Sequence, residues 1–369
     1  MMITANNGFI EQSERYAFDN AGESLKKYIL LQKGELAYNH GASKLRPFGS
    51  CFALTTAESA RIPFVYHCFS AENQNAEFLS IELNGSEVES QLRKIVSSGA
   101  RMDGLLNISF DEYSTVAVLL PDIKEQEHIA DFFRNLDHLI TLHQRKYDKL
   151  QVLKKALLEK MFPKNGSSVP EIRFKGFTDA WEQRKLEDYL TVSAEKNTGN
   201  IYDRSDVLSV SGDYGIVNQI EFQGRSFAGA SVSNYGVVQT GDVVYTKSPL
   251  NSNPYGIIKT NKGKPGIVST LYAVYHPKGN AFSDFIQVYF EQHARMNNYM
   301  HPLVNKGAKN DMKVSAENAL KGPVCFPSRI EQESISVFFS VLDNLITLHQ
   351  RELEKLQNIK KSMLEKMFV

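Results

Sequence analysis

Some residues of this sequence have the types and spacing that catalysis could use. Asn253-Pro254-Tyr255 resembles part of the Asn-Pro-Pro-Tyr motif of adenine methyltransferases, and Gly263-Lys264 resembles part of a phosphate-binding loop. The first match lacks the second proline. The second lacks a Ser or Thr after the lysine and a glycine five residues earlier. Both segments are rich in turn-forming residues, so we interpret both as turns.

Acidic residues and histidines form two further candidate groups. Asp122, Glu125 and Glu127 could bind a metal ion in a nuclease, but acidic residues at the start of a helix also stabilise its dipole. His143 and His349 lie at equivalent positions on an apolar stripe, without the convergent partners of a metal site or general base. We interpret them as polar residues that fix helix register. We therefore predict no catalytic residue, no metal site and no cofactor.

The segment from Tyr245 to Lys313 is basic, with nine Lys or Arg and three Asp or Glu, although the whole chain has 42 of each and no net charge. Lysines neutralise phosphates, and Asn and Arg side chains read base edges. Any single lysine here could equally lie on a solvated loop surface. For the cluster as a whole, together with the architecture described below, we predict that double-stranded DNA binds here, with further candidates in the first half of the chain. The candidates are Lys247, Asn251, Asn253, Lys259, Lys262, Lys264, Lys306, Lys309, Lys313, Lys44, Arg46 and Arg101.

The elements that would position these residues occur twice. Pro121 to Phe162 aligns without a gap on Pro327 to Phe368, and more than half of the positions are identical. A weaker match places Tyr28 to Tyr38 on Tyr235 to Tyr245. A repeat this long is not a solenoid repeat, whose period is about 20 to 50 residues. The sequence predicts two diverged globular domains, each followed by a nearly unchanged long segment.

Both long segments have apolar residues at spacings of three and four, which predicts a helix of about 50 Å with a coiled-coil seam. Two such helices can pack antiparallel, and apolar surface beyond the seam predicts a protein partner. The predicted seam and partner residues are Phe132, Phe133, Leu136, Leu139, His143, Leu150, Phe338, Phe339, Leu342, Leu345, His349 and Leu356.

The predicted boundaries are a first globular domain at 1–120, a helix at 121–162, a linker at 163–170, a second globular domain at 171–326 and a helix at 327–369. The globular parts have the residue pattern of strands. In the second part, strands are predicted at Val237-Val238, Asp242 to Tyr245, Gly256 to Ile258 and Ile267 to Tyr275, and a shorter helix from Ala281 to Tyr299. Three scattered cysteines, no leader and no long apolar run predict a cytoplasmic protein that does not enter a membrane.

The repeated pattern EQ-E-I-x-x-FF-x-x-LD-x-LITLHQR…KLQ…KK…LEKMF and the stretch VPEIRFKGFTDAWEQRKLEDY (Val169 to Tyr189) resemble the specificity subunits of type I restriction–modification systems. The resemblance implies an α+β fold with a pseudo-twofold internal repeat. Two strand-rich, mixed α/β target-recognition domains are each followed by a long helix, and the helices form an antiparallel coiled coil. Each domain would read half of a bipartite, asymmetric DNA site. The helices would bind two methyltransferase subunits, and a restriction/translocase subunit would join through the complex.

The first copy contains no counterpart of Arg173 to Leu186, so we expect an incomplete first recognition domain. Three other functions remain open at this point. The chain could be a truncated or silent specificity allele, or a stand-alone DNA-binding regulator with two binding domains. It could also be an enzyme with its own methyltransferase or nuclease activity, against which the missing cofactor loop argues.

Overall fold

The computed structural model describes residues 1–5, 8–14, 26–96, 106–164, 166–247, 249, 253–306 and 312–368, with the backbone alone at 305, 306, 312 and 313. These residues form a mixed α+β fold of eight α-helices and several small sheets. The chain divides into two compact units. The first unit is Met1–Arg145 with Gln350–Val369, and the second unit is Lys146–His349. Within the described residues, no helix is long and apolar enough to cross a membrane.

The first unit contains three small antiparallel sheets, with strand orders β1-β2, β3-β6 and β5-β4-β7. Its strands are β1 Met2–Thr4, β2 Gly8–Ile10, β3 Ile29–Gln32, β4 Leu36–Asn39, β5 Ser50–Ala53, β6 Ser59–Ile62 and β7 His67–Phe69. Its shorter helices are α1 Ala76–Glu82, α2 Ser86–Ile95 and α3 Phe110–Tyr113.

The second unit has a larger sheet, β14-β13-β16-β9, and the smaller sheets β12-β15, β10-β11, β19-β8 and β17-β18. Its strands are β8 Glu182–Lys185, β9 Leu190–Val192, β10 Leu208–Ser211, β11 Gly215–Asn218, β12 Gly236–Val238, β13 Val243–Thr246, β14 Ile258–Thr260, β15 Gly266–Val268, β16 Tyr272–Pro277, β17 Asn305–Lys306, β18 Met312–Lys313 and β19 Pro323–Phe326. Its shorter helices are α5 Gln219–Gln223, α6 Ser283–Glu291 and α7 His293–Met300.

All seven described strands of the first unit have a counterpart of the same connectivity in the second. β4 lies between β5 and β7 as β13 lies between β14 and β16, and β3 pairs with β6 as β12 pairs with β15. The hairpins β1-β2 and β10-β11 share their register, because Met2 pairs with Ile10 and Ser209 pairs with Val217. Each residue of the first hairpin thus matches the residue 207 positions later in the second.

A glycine turn recurs beside the central strand of each unit. The Tyr38 hydroxyl donates a hydrogen bond of 2.6 Å to the carbonyl oxygen of Phe48, which precedes Gly49. The Tyr245 hydroxyl donates one of 2.7 Å to the carbonyl oxygen of Tyr255, which precedes Gly256. Both glycines have a positive φ, of 85° and 83°. A Cβ on Gly256 would lie 1.8 Å from the Thr246 carbonyl oxygen, so only glycine fits there.

Two long helices, α4 Ile123–Lys160 and α8 Arg329–Met367, each begin shortly after a proline. A buried glutamine in the first turn holds each helix start. Gln126 Oε1 accepts a hydrogen bond from the Asn75 amide at 3.0 Å, and Gln332 Oε1 accepts one from the Phe282 amide at 2.9 Å. Each side-chain amide also donates to the carbonyl of the preceding proline, at 2.9 Å. The two glutamines are 1% and 0% exposed, so these bonds satisfy polar groups that water cannot reach.

A phenylalanine just after each long helix packs near the start of the other long helix within the same unit. The ring-centroid distances are 5.9 Å for Phe368–Phe133, 5.7 Å for Phe368–Phe78, 6.2 Å for Phe162–Phe339 and 5.8 Å for Phe162–Phe285. In each unit, therefore, the C-terminal end of one long helix lies beside the N-terminal part of the other. These contacts account for a phenylalanine at the same position of both copies.

The structure corrects two sequence-based predictions. The predicted helix from Ala281 to Tyr299 is two helices, α6 and α7, because Gln292 between them has an extended backbone (φ −71°, ψ 112°). The predicted strand from Ile267 to Tyr275 is also two elements, β15 and β16, which belong to different sheets. Neither segment contains a Gly or a Pro that would mark the break in the sequence.

Candidate nucleic-acid interface

The Asn-Pro-Tyr-Gly segment is a turn with a structural function. The Gly256 amide donates to the Asn253 carbonyl at 3.0 Å, which closes the turn after β13. The Asn253 side chain is buried and its Oδ1 lies 3.0 Å from His293 Nδ1. The interpretation of this segment as a turn is confirmed. Its buried asparagine fixes the turn against α7.

Lys259, which we predicted to contact DNA, is also buried and lies close to Glu291, Lys154 and Asp343. Burial lowers the pKa of its ammonium group, and the nearby carboxylates only partly oppose this effect. Lys154 Nζ lies 2.7 Å from Glu291 and 2.5 Å from Asp343. This group of charged side chains joins both long helices to α6 in the second unit.

The loop between β14 and β15 presents two of the predicted lysines to solvent. Lys264 is exposed. The Lys262 side chain is 50% exposed, and its Nζ lies 3.4 Å from Asp284 Oδ2. The buried Asn261 shapes this loop, since its Nδ2 donates to the carbonyl oxygens of Gln239 and Lys264. Its Oδ1 accepts from the Gly263 amide at 3.1 Å. The loop therefore presents two cations on a backbone held by internal hydrogen bonds.

The corresponding loop of the first unit has a different charge. The connection from β5 to β6 carries Glu58, which forms an ion pair of 2.7 Å with Lys33. Lys44 is exposed in the next loop toward the N-terminus. Arg46 is partly buried, donates to the Asn84 carbonyl at 2.6 Å, and has a lowered pKa because of burial. The two units thus present different groups on a shared framework.

The remaining candidates for DNA contact lie at the margins of the described structure. Lys247 is half-buried at the end of β13. The backbones of Lys306 and Lys313 lie in the two-stranded ladder β17-β18, where Lys306 pairs with Met312. Asn251, Lys309 and Arg101 lie outside the described residues.

An exposed aromatic surface beside the β10-β11 hairpin was missed by the sequence reasoning. Tyr214 at the hairpin tip is 66% exposed and packs on Phe222 with ring centroids 5.2 Å apart. Phe227 is 58% exposed, and the Arg225 guanidinium lies 4.6 Å from its ring centroid. Aromatic and arginine side chains can stack on bases or insert between base steps. The signal in the sequence that could have revealed this surface is a set of aromatic residues next to or near glycine and arginine.

The predicted helix residues divide into buried and exposed sets. Phe133, Leu136, Phe339 and Leu342 are buried, whereas Leu150, Phe338, His143, His349 and Leu356 are partly buried. Phe132, Leu139 and Leu345 are exposed. Leu142 and Leu348, which are equivalent in the repeat, are exposed as well. The same helix positions therefore remain apolar and uncovered in both copies, within the described chain.

No group of His, Cys, Asp and Glu residues in the described part of the chain has the arrangement of a metal site. Cys51 is buried, and burial raises the pKa of its thiol to about 12. A thiol with a raised pKa is a poor nucleophile at neutral pH.

The sequence matches no protein-family model, and no curated protein matches it. Among solved structures, the HsdS subunit from Thermoanaerobacter tengcongensis aligns with 15% identity and a TM-score of 0.46, over 92% of this chain and 81% of that chain. A structure that concerns the complex assembly and conformational transition of the type I R-M system aligns with 13% identity and a TM-score of 0.44. The alignment covers 92% of this chain and 82% of that chain.

The S subunit of the type I restriction–modification system from M. genitalium aligns over 93% of this chain and 85% of its own, with 11% identity and a TM-score of 0.54. This likeness extends over both units and both long helices. The chain therefore has the fold of a type I restriction–modification specificity subunit.

Proposed function

We propose that this chain is the non-catalytic DNA-recognition subunit of a type I restriction–modification complex. The observation that carries the proposal is the duplicated architecture. The two units have the same strand connectivity, and each contains part of both long helices, which are nearly identical in sequence. The chain as a whole has the fold of a specificity subunit. The sequence motifs that resemble this family support the same conclusion.

In this proposal, residues 1–120 and 171–326 are target-recognition domains, 121–162 and 327–369 are the helices, and 163–170 is a linker. The helices pack as an antiparallel coiled coil within a pseudo-twofold repeat. The matched glutamine contacts at the helix starts and the matched phenylalanine contacts after their ends support this arrangement. Because the two domains expose different side chains, they read different half-sites of one asymmetric DNA sequence.

The second domain contacts the DNA backbone through the lysine loop between β14 and β15. Lys262 and Lys264 are exposed cations on a loop with internal hydrogen bonds, which suits contacts that position a protein on phosphates. The aromatic surface of Tyr214, Phe222 and Phe227 supplies groups that can contact bases. Asn253 and Lys259 have structural functions instead, because both side chains are buried.

Two methyltransferase subunits bind the exposed apolar positions of the helices. Leu139 and Leu345 are equivalent, as are Leu142 and Leu348, and all four are exposed. A repeated patch offers the same surface twice, which suits two copies of one partner. A restriction/translocase subunit joins the complex through these partners. We place this assembly in the cytoplasm, where such a complex meets the DNA.

The test is reconstitution with the adenine methyltransferase subunits of a type I system from the same genome. We expect a stable complex containing one copy of this chain and two methyltransferase subunits, and methylation of DNA that requires both components. The chain alone should transfer no methyl group. A chain that binds DNA specifically without recruiting methyltransferase would instead be a regulator, and methylation by the purified chain would identify an enzyme. Either result would contradict the proposal.

A further inference from the structure

Asn261 and Leu54 occupy the same backbone site in the two units. The Asn261 amide donates to the Asp242 carbonyl at 2.8 Å, and the Leu54 amide donates to the Glu35 carbonyl at 2.9 Å. Each of the two carbonyls accepts, at 2.8 Å, from the amide of the glycine just before that acidic residue. Asn261 and Leu54 are both buried, at 1% and 0% exposure. The shared framework therefore accepts an apolar side chain at this site.

The Asn261 side chain acts on the loop between β14 and β15. Its Nδ2 donates to the carbonyl oxygens of Gln239 and Lys264 at 3.2 and 3.1 Å, and its Oδ1 accepts from the Gly263 amide at 3.1 Å. A buried side-chain amide costs free energy unless it is hydrogen-bonded, and these bonds meet that requirement. Thr240 Oγ1 donates a further bond of 2.7 Å to the Gly263 carbonyl. Three side-chain hydrogen bonds thus reach loop residues Gly263 and Lys264.

The matching loop of the first unit closes without such bonds. Four residues separate Leu54 from β6, and four separate Asn261 from β15. In the described structure, residues 55–57 make no hydrogen bond, and the end of this loop is held by the ion pair of Glu58. A loop of this length therefore needs no buried asparagine to close. The bonds of Asn261 instead select one conformation of a loop that has several available.

The loop that is fixed in this way is also the one that carries cations. Lys262 and Lys264 correspond to Thr55 and Ala57 in the repeat. Both lysines reach solvent, since the Lys262 side chain is 50% exposed and Lys264 is exposed. A mobile loop loses conformational freedom when a partner immobilises it, and this loss weakens binding. A loop that is already ordered by internal hydrogen bonds loses less.

We propose that Asn261 is a positioning residue for DNA binding. It holds the loop in the conformation in which Lys262 and Lys264 contact the phosphates of double-stranded DNA. This inference rests on the proposed function of the loop and adds the residue on which the DNA affinity of the loop depends. Asn261 is 1% exposed, so it acts through the loop and not by touching DNA.

The first measurement uses the chain without DNA. Asn261→Leu places the first-unit residue at this site, so urea unfolding followed by Trp181 fluorescence should keep its midpoint. Hydrogen exchange at the Gly263 amide should become about tenfold faster, because this amide loses its acceptor. Thr240→Val is a second variant, at an exposed position, that removes a different bond to Gly263 and should raise the exchange rate by a smaller factor. It replaces Asn261→Leu if the latter lowers the midpoint.

The second measurement is DNA binding by the chain assembled with its methyltransferase subunits, followed by fluorescence anisotropy. Because phosphate contacts do not depend on sequence, one fixed duplex of about 40 base pairs serves as the probe. Asn261→Leu should weaken binding about threefold to tenfold at a given salt concentration, and Thr240→Val should weaken it less. The slope of log affinity against log salt should stay that of the parent, since both lysines remain.

A mutant cycle separates positioning from a merely structural effect. The double variant Lys262→Gln, Lys264→Gln removes the cations that the loop presents. In that background, Asn261→Leu should weaken binding by less than about twofold, because no lysine remains to be positioned. A loss of the same factor in both backgrounds would show that Asn261 only supports the domain, and it would overturn the proposal.

The outcomes also separate this inference from the proposed function. If the double glutamine variant binds the duplex as tightly as the parent, the loop does not contact DNA, and the proposed function of the loop fails together with the inference. If the glutamine variant binds more weakly but Asn261→Leu and Thr240→Val bind like the parent, the inference alone is overturned. Weakening by Asn261→Leu that depends on the two lysines supports both.

Discussion

Lys154 on α4 lies 2.5 Å from Asp343 on α8, and Lys360 on α8 lies 2.5 Å from Asp137 on α4. The two ion pairs occupy equivalent positions of the repeat, but their environments differ. The Lys154 side chain is 16% exposed, and Lys154 also contacts Glu291, whereas the Lys360 side chain is 34% exposed. Burial opposes the charge on Lys154, yet the two carboxylates raise the pKa of its ammonium above the usual value.

We predict that Lys154→Met destabilises the second unit strongly. Removing the ammonium takes away the ion-pair partner that Asp343 and Glu291 share, at a cost of about 3 kcal/mol. Trp181 is the single tryptophan and lies buried in the second unit, so its fluorescence during urea unfolding reports this change. The matched control is Lys360→Met, whose more exposed ion pair lies in the first unit, so it should change the unfolding free energy reported by Trp181 by at most about 1 kcal/mol. Equal losses for both variants would contradict the difference in environment.

Gly256→Ala should destabilise the second unit by about 3 kcal/mol or more, because it combines a positive φ with a backbone clash. The same fluorescence measurement applies. Gly263→Ala is the control, since its Cβ would meet only the Asn261 side chain at 3.6 Å. If both alanine variants unfold at the same urea concentration as the parent chain, the rigidity of this turn has been overstated.

Charge reversal at Lys262 and Lys264 should weaken DNA binding by the assembled methyltransferase complex. Each lysine that neutralises a phosphate contributes about 0.9 to the slope of log affinity against log salt, so the double variant should lower the slope by roughly 2. Fluorescence anisotropy over a series of salt concentrations measures this slope. Lys175→Glu, at an exposed position before β8, is the control and should leave the slope unchanged. An unaltered slope for the double variant would remove the loop from the interface.

The first unit should lose stability in mild acid because of His67. Burial lowers the pKa of this imidazole, and the hydrogen bond between its Nε2 and the Ile108 carbonyl, at 3.1 Å, only partly opposes that effect. The unfolded chain therefore takes up a proton at a higher pH than the folded chain does. The contribution of the neutral, buried His67 imidazole to the free energy of unfolding is therefore fully present above the unfolded pKa of about 6.5. It falls as the pH drops below that value.

Hydrogen exchange of the strands β4 and β7 between pH 7 and pH 5, corrected for the intrinsic pH dependence of exchange, measures this loss. His67→Gln keeps a hydrogen-bond donor for the Ile108 carbonyl, and glutamine does not titrate in this range. This variant should therefore lack the part of the acid-induced loss of protection that His67 causes. The corresponding position of the second unit is Ala273, which pairs with Tyr245 as His67 pairs with Tyr38. The second unit should therefore lack this acid-sensitive step. Equal acid sensitivity in the parent chain and His67→Gln would assign the effect to another group.

The long helices and their repeat could be predicted because apolar spacing and near-identity survive in the residues themselves. The matching hairpins could not, since Met2-Ile3-Thr4 and Ser209-Val210-Ser211 share no residue. Their common register depends on backbone hydrogen bonds and on the alternation of side chains, which many sequences satisfy. The similarity of residues between the two copies begins at Tyr28, whereas the match in strand pairing begins at Met2.

The prediction of DNA contacts was limited because the sequence does not show which side chains of a short strand or loop face the solvent. A basic segment shows that cations are close in sequence, but folding turns Lys259 inward and leaves Lys262 and Lys264 outward. The side of a short strand or loop that faces the core is set by its neighbours, and single residues do not encode it. The buried Gln126 and Gln332 are a related case, because polar residues in the first turn of a helix usually face solvent.

The central claim is that this chain selects the DNA sequence that a type I methyltransferase modifies. Methylation sequencing of cells that express the methyltransferase subunits, with and without this chain, tests it most directly. We predict adenine methylation at one asymmetric site only when the chain is present, with the second domain specifying one half. Charge reversal at Lys262 and Lys264 should reduce the fraction of sites methylated. Methylation at the same motif without the chain, or none with it, would contradict the account.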